Sequence, residues 1–371
     1  MPKKINIIHL IPALNIGGAE KVVLNLCRHF DPARFKLTLV YWQGNDDLLP
    51  EFKKSPVQII KLQLKTVISL NSVLKIRRLI KTTQADIIHT HFIDADLLGF
   101  LSSRFLRTAM IVDIHSYPFP DKTTHCLRYY LMSFGIKKFL CVSNTVKAVI
   151  QQKTKIPDKK IKVVYNGITL DSRYDPRSRK ERGRIKQSLN IPEGHIIVGN
   201  ISRLILDKGQ EYLIRAMPDI IQSHKNVIAL IIGDGELRDQ LKQLASDLNI
   251  ESHIIFTGTR TDIPELLSIM DVFVFPTFRE AMGITVLEAM AAEKPIIATD
   301  DAAIPELIRH RKEGLLIHPG NEQLITQAVQ ALLDDKESAR QYAKNARQRV
   351  SQFSLDQMMI NTAHLYEDVP G

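Results

Sequence analysis

The sequence predicts an α/β fold of two doubly wound parallel sheets, and three observations carry that expectation. Short apolar runs alternate with amphipathic helical patterns along the whole chain. The alternation is interrupted once, by a charged, helix-breaking stretch over 171–183, and then begins again. With 371 residues, 44% of them hydrophobic, the chain is long enough for two domains of about 100–200 residues each.

The first series of apolar runs reads as strands over 5–10, 37–41, 58–60, 87–89, 110–114 and 139–142, with helices between them. The second reads as strands over 196–201, 227–232, 253–256, 272–275 and 295–298. Helical patterns fill 321–350, and a last one runs over 354–367 after the Phe353-Ser354 break. The expected organisation is therefore two Rossmann-like domains, 1–170 and 184–353. In open α/β sheets ligands collect at the carboxyl ends of the strands, so two such domains face to face would make a deep cleft.

Charge separates the halves. Residues 1–190 hold 33 Lys and Arg against 14 Asp and Glu, whereas 191–371 hold 17 against 26. A basic half binds phosphate-rich polymers or anionic membranes, and nothing in the chain reads as a zinc finger, RNP motif or compact basic recognition helix. No nucleic-acid partner is expected; anionic lipid headgroups suit the surface better. The pattern over 73–81 presents one cationic helical face, and Arg104, Arg107, Lys122, Arg128, Lys137 and Lys138 add to it. Each basic residue near an anionic bilayer contributes about 1 kcal/mol.

Cys27, Cys126 and Cys141 are too scattered for a disulfide framework or a CxxC metal site, which suits a reducing cytosol. The apolar run after Lys4 is short and broken by Asn6 and His9, so it reads as a first strand and not as a signal peptide. No run of about 18 apolar residues is present to span a bilayer. The expected location is cytoplasmic, peripheral on the inner face of the cytoplasmic membrane.

The segment Phe278-Arg279-Glu280-Ala281-Met282-Gly283-Ile284-Thr285-Val286-Leu287-Glu288-Ala289-Met290-Ala291 is the most informative in the chain. It follows an apolar strand ended by Pro276, and Ile284, Leu287 and Ala291 recur at helical spacing. Glu280 thus falls in a loop and Glu288 in the second turn of a helix. The free amides of Met282, Gly283, Ile284 and Thr285 at the helix start lie between them. Amides there hold an anion while carboxylates accept hydrogen bonds from hydroxyls; a sugar nucleotide offers both.

This segment resembles the retaining nucleotide-sugar glycosyltransferases of family 4, whose pattern is E-G-F-G-x-x-x-x-E-A-M-A followed by G-x-P. The resemblance runs over most of the chain. Ala281-Met282 stand where the family has Gly-Phe, Glu293-Lys294-Pro295 where it has G-x-P, and Ala302-Ala303 where it has Gly-Gly. The resemblance implies a GT-B fold whose last helix, about 354–371, crosses back onto the N-terminal domain.

Other residues fall at strand ends. Arg203 and Lys208 follow the strand over 196–201 and suit a departing diphosphate, Arg as a two-oxygen donor and Lys as a point charge; they match the family's R-x4-K-G, which binds the donor diphosphate. Gly17 and Gly18 precede a helix but lack G-x-G-x-x-G spacing, which argues against a dinucleotide fingerprint. In the family this loop faces donor phosphate and acceptor. Gly233 and Arg260 resemble the floor for base and ribose, with Arg260 suited to stack on the base. Among His89, His91 and His115, the family's sugar-contacting histidine matches His115; His89 reads as a core histidine and His91 is open, while zinc would need a further ligand. Asp94-Ala95-Asp96 reads as a helix cap. Asn166-Gly167-Ile168 resembles the family's N-G-I-D before the interdomain hinge.

Together these imply a metal-independent, retaining transfer of a hexosyl or N-acetylhexosaminyl group from a nucleotide sugar, UDP-linked by expectation, to a glycan or lipid-linked hydroxyl. In that scheme Glu288 holds the ribose hydroxyls, and Glu280 meets the sugar hydroxyls or the developing positive charge. GDP-mannose is the alternative donor. The rival classes are a sugar-phosphate phosphorylase, a nucleotide-sugar epimerase and a non-catalytic glycan- or lipid-binding subunit of the same shape.

Overall fold

A computed structural model describes residues 4–116, 123–174 and 182–369. Lys122 of the basic set and residues 175–181 of the charged stretch lie outside them. The chain divides into two units, Met1–Gly167 with Leu355–Gly371, and Ile168–Ser354.

The first unit is a parallel sheet of β1 (Ile5–Leu10), β2 (Phe35–Tyr41), β3 (Val57–Lys61), β4 (Ile87–His91), β5 (Ala109–Ile114), β6 (Lys138–Cys141) and β7 (Ile161–Val163). Their spatial order is β3-β2-β1-β4-β5-β6-β7. The second unit repeats the plan with β8 (Ile196–Ile201), β9 (Val227–Ile232), β10 (Ile254–Gly258), β11 (Val272–Phe275), β12 (Ile296–Thr299) and β13 (Leu315–Ile317), ordered β10-β9-β8-β11-β12-β13. Strands β8, β9, β11 and β12 are almost wholly buried and correspondingly rich in Ile and Val, as strands covered on both faces must be.

In each sheet the strand order reverses between two neighbours, β1 and β4 in one and β8 and β11 in the other, and the carboxyl ends there are where doubly wound sheets bind ligands. Register decides which side chains meet. His9 pairs with His89 across β1 and β4, and His91 with Asp113 across β4 and β5. Val272 pairs with Val198, so the loops leaving β8 and β11 are neighbours.

The last helix, Leu355–Asp368, belongs to the first unit. Its Tyr366 is fully buried against the rings of Phe30 and Phe35, and Glu367 pairs with Arg34. No described helix is long and apolar enough to cross a membrane.

Two sequence expectations are corrected. The short strands β7 and β13 are absent from the sequence-based list because three residues carry too little periodicity. Asp96 does not cap its helix, Ile93–Ser103: it is buried and accepts hydrogen bonds from Thr90 Oγ1 at 2.6 Å and Tyr129 OH at 2.5 Å. Burial pushes its carboxyl up to about 7, against the opposing pull of those two hydroxyls.

Candidate active site

In the second unit two loops are fastened together at the end of the sheet. After β8 the chain makes a 3-10 turn, Leu206–Lys208, closed by Gly209 at φ +64. A Cβ on Gly209 would fall 2.2 Å from the Pro276 carbonyl, so only glycine lets the turn lie against the loop after β11. Asp207 O accepts from Phe278 N at 2.8 Å and from Thr277 Oγ1 at 2.9 Å. Gln210 Nε2 reaches back to Arg203 O and Ser202 Oγ, each at 2.7 Å.

These bonds bring Lys208 to Glu280. Nζ lies 2.7 Å from Oε2, and the side chains are 13% and 18% exposed. Glu280 Oε1 accepts from the amides of Ala281 at 3.1 Å and Met282 at 3.5 Å. Gly283, at φ +82, then begins the helix Ile284–Ala291. Its amide and those of Ile284 and Thr285 have no main-chain acceptor among the described residues, leaving three donors at the positive end of a helix. Arg203 is exposed and makes no ion pair with a described residue. The turn therefore offers one anchored cation, one free cation and a row of amides.

Glu288, in the second turn of that helix, accepts from Tyr174 OH at 3.3 Å. Tyr174 is buried, and burial first, then the Glu288 charge, raises its hydroxyl above the usual tyrosine range, so it stays a donor. Its carbonyl accepts from Arg347 Nη1 at 2.9 Å. Sequence reasoning missed Tyr174, which sits in the charged stretch with no flanking periodicity to mark it.

Gly233, at the end of β9, bonds through its N–H to Gly258 O at 3.0 Å, and a Cβ there would fall 1.9 Å from Ser202 O. Arg260 is paired side-on with Asp262, at 2.7 Å and 2.5 Å, rather than left open. Its guanidinium plane is fixed by that carboxylate, which in turn is held below the usual range by the arginine.

Gly17, Gly18 and His115 lie in the first unit. Gly17 is extended at φ −159 and caps the helix Gly18–His29; a Cβ on it would meet the Glu20 carboxylate at 2.3 Å. His115 closes a buried row of imidazoles: its Nε2 lies 2.8 Å from His91 Nδ1, and His91 Nε2 lies 3.0 Å from His9 Nδ1. His89 Nδ1 meets Tyr366 OH at 2.6 Å. Burial pushes His9 and His115 down to about 3 and lowers His89 and His91, so the row is neutral. Asp113 Oδ2 lies 3.5 Å from His115 and 3.8 Å from His89 and His91, and burial raises its carboxyl to about 8.

His9 with His89 and His91, and His91 with Asp113 and His115, are the described groups near enough to share a metal ion. His9, His91 and His115 already serve one another as donor and acceptor, so the row is internally bonded without one. Sequence reasoning missed His9 and Asp113. Their common signal was position, each on a strand next to β4.

Main-chain amides, one paired and one unpaired cation, and a carboxylate that accepts from a hydroxyl, gathered at the end of a doubly wound sheet, are the equipment of a nucleotide-sugar transferase. Residues 16–172 match glycosyltransferase family 4, and residues 181–349 match the glycosyl transferases group 1. The chain belongs to the family 4 glycosyltransferases, and it is a glycosyltransferase of GT-B fold acting on nucleotide sugars.

It is 26% identical to the Escherichia coli UDP-Gal:alpha-D-GlcNAc-diphosphoundecaprenol alpha-1,3-galactosyltransferase, over 99% of this chain and 97% of that one. It is 29% identical to an uncharacterized glycosyltransferase of Methanocaldococcus jannaschii over 76% and 75%. Among solved structures, a glycosyltransferase from Rickettsia africae superposes with a TM-score of 0.87 at 24% identity, over 98% of both chains. Anabaena HepE in complex with UDP-glucose also superposes at 0.87, with 22% identity over 98% of this chain and all of that one.

Proposed function

We propose that the protein transfers a hexosyl or N-acetylhexosaminyl group from a UDP-sugar to a hydroxyl of a glycan or lipid-linked acceptor, with retention at the anomeric carbon and without a metal ion. The observation that carries this is the meeting of Lys208 with Glu280 beside the open amides of Gly283, Ile284 and Thr285. Arg203 and Lys208 hold the diphosphate, and the helix start receives an anionic oxygen. Glu280 and His115 contact the transferred sugar. Glu288, steadied by Tyr174, accepts from the ribose hydroxyls. Gly17, Gly18 and Gly233 admit the donor by close backbone approach, and the Arg260 plane stacks on the base.

In the step itself the bond from the anomeric carbon to the diphosphate breaks, and a bond to the acceptor oxygen forms on the same face. The acceptor proton passes to the departing phosphate oxygen. Two cations and three amides stabilise that oxygen electrostatically, which supports a reaction without Mg²⁺.

UDP is favoured because the E. coli relative is named for UDP-galactose and Anabaena HepE is solved with UDP-glucose. The diphosphoundecaprenol in the E. coli relative's name supports a lipid-linked acceptor and, with the basic first half, work at the inner face of an anionic membrane. GDP-mannose is the second reading: a Mycobacterium tuberculosis GDP-mannose-dependent mannosyltransferase is 32% identical over 47% of this chain.

Thermal shift with UDP, GDP and ADP separates the donors, since a ligand at 100 times its dissociation constant adds about 2.7 kcal/mol. Stabilisation by UDP, undiminished by a chelator, is the expected result. Stabilisation by GDP alone replaces the donor, and shifts that require metal overturn the metal-free step.

A further inference from the structure

At the carboxyl ends of the first sheet, three histidines are joined nitrogen to nitrogen. His91 lies on β4, His9 on the neighbouring β1, and His115 just past the end of β5, the neighbour on the other side. His9 Nδ1 is 3.0 Å from His91 Nε2, and His91 Nδ1 is 2.8 Å from His115 Nε2. A neutral imidazole carries one N–H and one bare nitrogen. Each contact needs one of each, so the three rings cannot choose their tautomers independently. Either every ring is protonated at Nδ1 and the bonds run toward His115, or every ring is protonated at Nε2 and they run toward His9. His89 stands outside this row: its Nδ1 meets Tyr366 OH at 2.6 Å, and its Nε2 is 3.8 Å from Asp113 Oδ2.

The two ends of the row decide between the forms. His9 Nε2 and His115 Nδ1 have no hydrogen-bond partner among the described residues. One of them holds an unmet N–H and the other an unmet lone pair, and a buried N–H without an acceptor is the rarer and costlier of the two. His9 is fully buried against the rings of His89 and His91, closed to any ligand, whereas His115 is partly exposed at the strand end. The N–H therefore belongs on His115 Nδ1. Asp113 Oδ2, 3.5 Å from His115 Nε2, is the group whose charge would draw the proton to the other nitrogen. Burial raises that carboxyl to about 8, so it is uncharged at neutral pH.

We propose that His9 and His91 are positioning residues that lock His115 in its Nδ1–H form, and that His115 donates this N–H to an oxygen of the transferred sugar. The inference rests on the reading that His115 meets that sugar. It adds the atom used, the direction of the bond and the two residues that set it. With Nε2 taken by His91, Nδ1 is the nitrogen of His115 left for a ligand. A sugar lacking an oxygen at that point leaves the N–H unmet, so the row also selects the substrate.

Nitrogen-15 NMR of histidine-labelled protein at neutral pH reads the tautomer directly, with the His115→Ala spectrum assigning the resonances. A protonated Nδ1 and a bare Nε2 are expected at His115, the reverse of the form that free neutral histidine favours. A protonated Nε2 overturns the assignment. His9→Leu removes the first donor, so His115 should become a mixture of both forms, and His9→Asn, which keeps an N–H, should restore the single form. His115 unchanged in His9→Leu removes His9 as a positioning residue. Unshifted resonances elsewhere in the first unit show that each variant is folded.

The substrate side is read from the binding of UDP-glucose and UDP-galactose analogues in which single hydroxyls are replaced by hydrogen or by fluorine. Fluorine accepts a hydrogen bond weakly and donates none. At one position wild type should bind the fluoro analogue about three- to tenfold more tightly than the deoxy analogue. His115→Ala should bind the two alike, and His9→Leu should fall between. Equal binding of both analogues by wild type at every position overturns the donated N–H. A wild-type preference kept intact by His115→Ala removes the sugar contact itself, and with it the underlying reading, while the tautomer seen by NMR stands.

Discussion

The two sheets place polar groups at equivalent strand ends and treat them oppositely. In the first unit His9, His89, His91 and His115 are buried and kept neutral, and His9 Nε2, His89 Nε2 and His115 Nδ1 have no hydrogen-bond partner among the described residues. In the second, Lys208 and Glu280 keep their positions by pairing with each other and with amides near solvent. One set is governed by burial and the other by charge pairing. The charged set suits the diphosphate proposed to meet it, and the neutral set brings no net charge to its strand ends.

The sharpest way to break this contrast is to remove the cations of the charged side. Arg203→Ala and Lys208→Ala should each lower kcat about 10²- to 10³-fold, and the pair should abolish UDP stabilisation in a thermal shift. Undiminished transfer by the double variant would falsify the placement of the diphosphate.

The neutral side should betray itself through pH. The histidines' folded pKa values lie below their unfolded ones, so their contribution is present above about pH 6.5 and lost as pH falls toward 3. Below about pH 6 each should cost roughly 1 kcal/mol per pH unit. Asp113 is raised, so its contribution is full below about pH 4 and is lost as pH rises through about 8. Denaturant midpoints should therefore fall on both sides of neutrality. Replacing His9 with Asn should flatten the acid limb, and an unchanged acid limb counts against a buried neutral row.

Tyr174→Phe sharpens the donor side with a smaller effect. Losing one hydrogen bond to the carboxylate proposed to hold ribose should raise KM for the nucleotide sugar about three- to tenfold, with kcat nearly unchanged. A fall in kcat at constant KM would move Tyr174 from positioning the ribose to the reacting atoms.

The smallest effect concerns backbone. Glu293 and Ala302, which stand where the family has glycine, adopt φ +53 and +52. The left-handed conformation survives the loss of the glycine that favours it, at a cost of about 1 kcal/mol each. Ala281 and Ala303, the other two such replacements, are outside that region, so they carry no such strain. Ala302→Gly should change stability by no more than about 1 kcal/mol, because relieved strain is offset by a freer unfolded chain, with activity retained. A large loss of activity would mean that the Ala302 methyl group itself shapes the pocket.

Much of the fold is written locally. Strands β8, β9 and β11 coincide with their apolar runs because a strand buried on both faces must be apolar throughout, and that is visible without a partner. Glu280 in a loop and Glu288 in a second helical turn follow from Pro276, the spacing after Gly283 and the helical period. Strands β7 and β13 are invisible for the converse reason, since sheet pairing alone holds three residues straight. Lys208 against Glu280, Tyr174 against Glu288, and His9 with Asp113 beside His91 join residues tens of positions apart or more. Only the tertiary structure brings them within 4 Å of one another. Asp96 shows the limit most plainly: two residues past Asp94 on a helix start, it is a cap by local rules and a buried, hydroxyl-bonded acid once the sheet packs over it. Composition determined which segments are strands and which half is basic, because those depend on neighbours in sequence; the contacts that hold the site depend on neighbours in space, and the tertiary structure chose them.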